Sequence, residues 1–162
     1  MERLKKEAFL NLSEDEKRSL LSGWNESYEA EAVIEYLTYV GVHNLDVHFL
    51  GELARAYNND SEEERAMEIL DSVSESQRDA QWYYRYAYSY LYRNFPMDEQ
   101  DKSNALFLLE KAVKLSKDDK MKDRSVELVN FCELGSVLEI EKERLPLLHE
   151  HWIYVRSIRR RN

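Results

Sequence analysis

The chain has 162 residues, about the length of one domain and enough to bury a core without metals or disulfides. It contains only 4 glycines and 2 prolines, which disfavours an all-β fold and favours helices joined by short polar loops. Charged residues make up 34% of the chain, but 12% of the residues are aromatic and supply apolar surface to bury, which argues against a disordered chain.

The formal net charge of −9 is unevenly spread. Arg156 and Arg159–Arg161 lie at the C-terminal end, and residues 1–155 carry 19 basic and 32 acidic side chains, a balance of −13. An acidic body repels phosphate backbones, so we expect no nucleic-acid partner, and its field favours a basic protein or peptide. The arginine run could bind acidic groups, but a solvated chain end or the complement of a helix dipole is the favoured interpretation.

Cys132 is the only cysteine, so it cannot form an internal disulfide. It lies in the apolar run 128–132 with no local charge to favour the thiolate, which predicts a buried structural thiol. Since there is no signal peptide and no long apolar stretch, the expected location is the cytoplasm, without a membrane partner.

Capping and periodicity predict the helices in chain order. Segment 2–12 is either a short helix or a ragged end, and Ser13 with Glu16 forms a capping box that begins the next helix. Gly41 stands where a left-handed C-cap would end a helix. Apolar residues spaced three and four apart then predict seven helices, over residues 14–23, 28–39, 46–58, 62–73, 82–92, 102–115 and 121–134.

The C-terminal part of the chain departs from the repeated helix pairs. Gly135 is predicted to end the seventh helix, and Pro146 interrupts whatever follows because it lacks a backbone N–H group. Segment 147–159 has apolar residues at helical spacing, while 152–155 also suits a strand. We favour a helix there.

Two predicted helix pairs share one residue pattern. In each pair the first helix carries a large residue, a small residue and later an aromatic, and the second helix carries three apolar residues spanning seven positions. The two halves of the pattern are six positions further apart in the second pair than in the first, which indicates a six-residue insertion. The two sets are Leu53, Ala54, Ala56, Tyr57, Ala66, Leu70 and Val73, and Tyr86, Ala87, Ser89, Tyr90, Ala105, Leu109 and Ala112.

This pattern resembles the tetratricopeptide repeat (TPR) family, most closely over residues 49–59. The resemblance implies an all-α fold, a TPR-like α-α superhelix of about two helix pairs with flanking helices. Residues 1–162 would form one domain, with N-terminal helices over 14–41, two pairs over 45–116 and capping helices over 121–162. Segment 24–39 looks like a degenerate second helix of a preceding pair, and 121–134 like a following first helix or a capping helix.

In the register of that family, Tyr84, Tyr88 and Tyr92 would line a concave groove and bind a partner, since tyrosine offers large contact area and a hydroxyl group. The same register adds His48, Arg55, Asn58 and Gln81. The alternative is that the tyrosines pack against the insertion or the last helix. Chaperone-binding members of the family clamp a C-terminal carboxylate with Lys, Asn and Arg, and the positions here do not reproduce that clamp.

No motif points to catalysis, and we expect no metal or cofactor. The pairs His43 and His48, and His149 and His151, do not share a helical face, and the acidic run 62–64 suits a solvated helix start. The sequence therefore predicts a non-enzymatic module that binds a protein or peptide. The alternatives are an immunity or antitoxin-like protein that neutralises a basic partner, a regulatory domain or subunit of an enzyme, and a homo-oligomer.

Overall fold

The structure, a computed structural model, describes residues 3–94 and 97–140, and in this part the chain is all-helical without a strand. Short 3-10 turns at Val42–Asn44 and Glu75–Gln77 connect some of the α-helices. The α-helices are α1 (Lys6–Leu10), α2 (Glu14–Glu26), α3 (Ala30–Val40), α4 (Val47–Asn59), α5 (Glu63–Asp71), α6 (Ala80–Arg93), α7 (Glu99–Leu115) and α8 (Asp119–Ile140).

Helices α2, α4, α6 and α8 begin with the same capping hydrogen bond. The side chains of Ser13, Asp46, Asp79 and Asp118 each accept from the backbone N–H three residues further on, at 2.8 to 3.2 Å. The first two intervals between these caps are equal, and the third is six positions longer. Such caps fix where a helix starts, so the four helices begin at equivalent points of an internal repeat, and the longer interval contains the predicted insertion.

The first repeat is a complete helix pair, of which the sequence pattern had identified only the second helix, in segment 24–39. In that segment α2 ends and α3 follows as its partner, and the turn between them matches the turn between α4 and α5. Tyr28 and Ser61, separated by the same interval as the caps, both have positive φ, at 61° and 63°. The peptide N–H after each donates over 2.8 Å to an equivalent carbonyl, from Glu29 to Trp24 and from Glu62 to Tyr57.

After the short α1, which contacts α3, the described helices pack as three pairs followed by α8. Within a pair the two helices contact each other, and α2, α4, α6 and α8 also contact one another in succession. Fully buried alanines occur where these helices meet, because a small side chain lets two backbones approach closely. The alanines that the repeat pattern predicted at such points are all 0% exposed: Ala54, Ala56, Ala66, Ala87, Ala105 and Ala112.

The insertion lengthens the join between α6 and α7. Counted from its capping residue, α6 ends one residue later than α4 does. The segment between α6 and α7 is two residues longer than the segment between α4 and α5. Finally, α7 begins three residues further ahead of its first buried alanine than α5 does. Arg93 and Asp101 join the two added ends, with Arg93 Nε donating to Asp101 over 3.2 Å. Asp101 is 1% exposed, so the carboxylate of this ion pair is buried, while Arg93 is partly exposed.

Two glycines behave differently. Gly41 ends α3 with a φ of 96°, which confirms the predicted positive φ at a C-cap, since a side chain is strained there. The prediction that Gly135 ends the seventh helix is wrong, because α8 continues to Ile140. Glycine inside a helix costs only about 1 kcal/mol relative to alanine and therefore does not by itself stop one.

The predictions on Pro146, segment 147–159 and the arginine run lie outside the described residues.

Cys132 is buried on α8, packed with the cluster that contains Leu91 and Leu109, which confirms the prediction of a buried thiol. We expect a thiol reagent such as Ellman's reagent to label Cys132 slowly in the folded protein and at once in denaturant, since only the exposed thiolate reacts. Fast labelling of the folded protein would contradict the packing of α8 on α6 and α7.

Candidate binding groove

The four successive first helices, α2, α4, α6 and α8, form one face of the described structure that is recessed. Most of the residues on this face lie 2, 5 to 6, 9 or 12 to 13 positions after the capping residue, a spacing that puts them on one side of each helix. Two adjoining cavities of about 500 and 440 Å³ open on this face, and we call the two together the groove. Equivalent positions of successive repeats therefore build one binding-sized recess.

Six of the seven side chains predicted to bind a partner line the groove. They come from α4 and α6, and they combine aromatic, amide, imidazole and guanidinium groups: His48, Arg55, Asn58, Gln81, Tyr84 and Tyr88. The structure thus brings together side chains from two helices that are distant in sequence. Whether they bind a partner stays a prediction.

Tyr92 does not line the groove. Its side chain is 4% exposed, and its ring stacks on Tyr88 with 4.1 Å between ring centroids and on Phe131 of α8 at 6.4 Å. The prediction that Tyr92 lines the groove is therefore wrong. Tyr92 instead agrees with the alternative that the tyrosines pack against a later helix, because α8 lies against the end of α6. Its role is to support Tyr88 from beneath, so that the Tyr88 ring is held in place.

Buried asparagines link α2 to α4 and α4 to α6 in the floor of the groove. The side-chain amide of Asn25 donates to the carbonyl of Glu52 over 3.1 Å, and that of Asn58 donates to the carbonyl of Arg85 over 3.1 Å. The two donors are one repeat apart, and so are the two acceptors. The same hydrogen bond therefore occurs at equivalent positions of two successive repeats. Ser89 completes the second link by donating to Asn58 over 2.8 Å.

Glu52 lies at the centre of the groove floor. Asn25 donates to its carboxylate over 2.7 Å, Arg85 Nη2 approaches the same carboxylate at 3.4 Å, and Arg55 Nη1 lies at 3.7 Å. The Glu52 side chain is 5% exposed. One buried carboxylate therefore holds an amide and two guanidinium groups from three helices.

Arg85 reaches Glu52 by lying across Gly51. A Cβ atom on Gly51 would come within 2.3 Å of Arg85 Nη1, so glycine at this position leaves the space that the guanidinium group occupies. Burial lowers the pKa of Arg85, and the Glu52 carboxylate opposes that effect. An arginine stays protonated in proteins even so, and Arg85 therefore keeps a positive charge in the groove.

The sequence pattern missed Asn25, Glu52 and Arg85, although a signal for them was present. Asn25 and Asn58 are one repeat apart, and so are Glu52 and Arg85. Once the first repeat is aligned with the later ones, polar residues at equivalent positions identify the side chains that line or underlie the groove. Without that alignment each of these residues is an isolated polar residue on a helix, which is expected to face solvent.

Within residues 3–94 and 97–140 no group of three or more His, Cys, Asp and Glu side chains could hold a metal ion. Among the same residues no helix has the length and apolar composition needed to cross a bilayer. The fold and groove place the protein in the class of all-α proteins built from repeated helix pairs. No protein-family model, curated protein or solved structure matches the chain.

Proposed function

We propose that the protein is a TPR-like helical-repeat module that binds a segment of another protein in the groove. The observation that carries this proposal is that six residues selected for a binding role from sequence line one recess. The regular interval between the caps and the succession of helix pairs support a TPR-like superhelix. We place this binding activity in the cytoplasm, where a lone thiol such as Cys132 stays reduced.

The groove suits an extended peptide better than a compact small molecule. It is open to solvent along its length, and tyrosine rings alternate with amide and charged groups that can bond to a peptide backbone. Tyr84 and Tyr88 are partly exposed, and the stacking of Tyr92 beneath Tyr88 restrains that ring before any ligand arrives. A restrained aromatic side chain loses little entropy on binding, which makes Tyr88 the expected anchor.

We expect Tyr88→Ala to weaken partner binding by roughly 30-fold, equivalent to about 2 kcal/mol, because buried aromatic anchors carry much of an interface's energy. The loss of stability should be about 2 kcal/mol, less than for a fully buried ring, since Tyr88 is partly exposed and the substitution removes its stack on Tyr92 and its packing on the cluster that contains Leu91 and Leu109. The measurement is affinity capture from the native cells, followed by quantitative mass spectrometry.

The matched control is Tyr39→Ala, which removes a tyrosine that is 47% exposed on α3, away from the groove. Partners of the groove should be retained by the wild type and the Tyr39 variant and lost with the Tyr88 variant. Equal retention by both variants would contradict the groove as the binding site. Unfolding of the Tyr88 variant would instead assign this tyrosine to the core.

A further inference from the structure

The middle of the groove has a different charge from the protein as a whole. Six residues line both cavities and so mark the centre of the recess: Glu26, Arg55, Tyr84, Arg85, Lys120 and Arg124. Four of them are cationic and one is a carboxylate. The chain as a whole has a net charge of −9, whereas these six residues together carry four positive charges and one negative charge.

Much of this positive charge is not neutralised by the protein. Arg55 and Arg85 share one carboxylate, that of Glu52, which also accepts from Asn25. In the part of the chain that the structure describes, Lys120 and Arg124 form no ion pair. Over both cavities the lining has five cations and four carboxylates, and the surplus of positive charge lies at the centre, where four of the cations meet one lining carboxylate, that of Glu26.

The local charge decides which ligand the groove prefers. Charges beyond about 8 to 10 Å are largely screened at physiological salt, so the acidic exterior acts weakly on a ligand inside the recess. The cations that line the groove act at contact distance and in a partly desolvated site, where ion pairs and charge-assisted hydrogen bonds are stronger. Arginine is also suited to holding carboxylates through two parallel hydrogen bonds.

We propose that the groove binds an acidic peptide segment, whose Asp and Glu side chains pair with Arg55, Arg85 and Arg124. This inference rests on the proposed function and adds the chemistry of the partner. Tyr84 and Tyr88 contact the apolar parts of the same segment, and Lys120 adds a further cation at the centre of the recess. The segment is recognised through carboxylates along its length, which a groove lined by cations from α4, α6 and α8 can meet at several points.

The test uses a random library of dodecapeptides displayed on phage and selected against the full-length protein. Peptides recovered on the wild type should be enriched in Asp and Glu, and synthetic copies should bind more weakly as salt is raised. Arg124→Glu should lower their affinity about tenfold, because it replaces a cation that forms no ion pair in the described structure with a repelling charge. Circular dichroism establishes that this variant is folded.

Arg65→Glu is the matched control, since it makes the same charge change at a side chain that is 63% exposed on α5, outside the groove. It should select the same acidic peptides as the wild type. Recovery of basic or neutral peptides on the wild type, or an acidic preference that survives Arg124→Glu unchanged, overturns the inference.

The two proposals fail in different ways. If the selected peptides are not acidic but still lose affinity with Tyr88→Ala, the groove binds peptides and only the inference about charge is wrong. If no selected peptide depends on Tyr88, the proposed function is wrong, and the inference falls with it.

Discussion

Replacing Glu52 with glutamine should lower the free energy of unfolding by about 3 kcal/mol, because removal of one partner from a buried ionic network leaves the others uncompensated. The Glu52 side chain is 5% exposed and faces Arg85 and Arg55, which are 13% and 22% exposed. Glutamine keeps the size of the side chain and can still accept from Asn25. The loss of stability would therefore measure the contribution of the negative charge that lies between the two guanidinium groups.

Urea unfolding followed by circular dichroism measures this effect as a lower midpoint at unchanged slope. The matched control is Glu68→Gln on the exposed face of α5, which should change stability by less than about 0.5 kcal/mol. A Glu52 variant as stable as this control would show that Arg85 and Arg55 are solvated well enough without the carboxylate. The arrangement of the groove floor would then need another explanation.

Replacing Asp101 with asparagine should lower the free energy of unfolding by about 2 kcal/mol, because the Arg93 guanidinium group then lacks its counter-charge. Asp101 is 1% exposed, and Arg93, which it binds through two nitrogen atoms, is 31% exposed. Solvent at Arg93 relieves part of the penalty, so the expected loss is smaller than at Glu52. The Asp101 carboxylate also raises the pKa of Arg93, as expected for a charge-assisted pair.

The same urea experiment tests Asp101, with Asp123→Asn on the exposed face of α8 as the control. The control should be almost neutral, since Asp123 forms no ion pair with the described residues. A neutral Asp101→Asn would indicate that the lengthened join of α6 to α7 is held by apolar packing alone. A large loss would assign the extra residues of this pair a structural role.

The helices themselves follow from local sequence. A capping residue such as Ser13 and apolar residues spaced three and four apart act within one or two turns, so they can be interpreted without knowledge of the fold. The buried alanines of two helix pairs also follow, because a repeated small residue at equivalent positions marks a close helix contact. The face that carries Arg55, Gln81 and Tyr84 was expected from the register of the resembled family.

The first helix pair escaped recognition for a physical reason. Where the later repeats have Ala54 and Ala87, the first repeat has Leu21, which is also fully buried. A first helix at the end of the row has no preceding first helix to pack against among the described pairs, so a small residue is not required there. The small residue that marks the later repeats is therefore absent from the first one. The capping residue and the turn at Tyr28 still occur at the positions that the repeat predicts.

The sequence by itself determined the all-helical fold and the pattern shared by two helix pairs, because capping and apolar spacing act locally, and the expected groove face came from the register of the family that this pattern resembles. Only the tertiary structure decided that Tyr92 is covered by α8, that Glu52 is buried among cations, and that the centre of the groove is positive in an acidic protein. These features depend on which side chains meet across separate helices. Distances between helices are set by packing, which local periodicity does not contain.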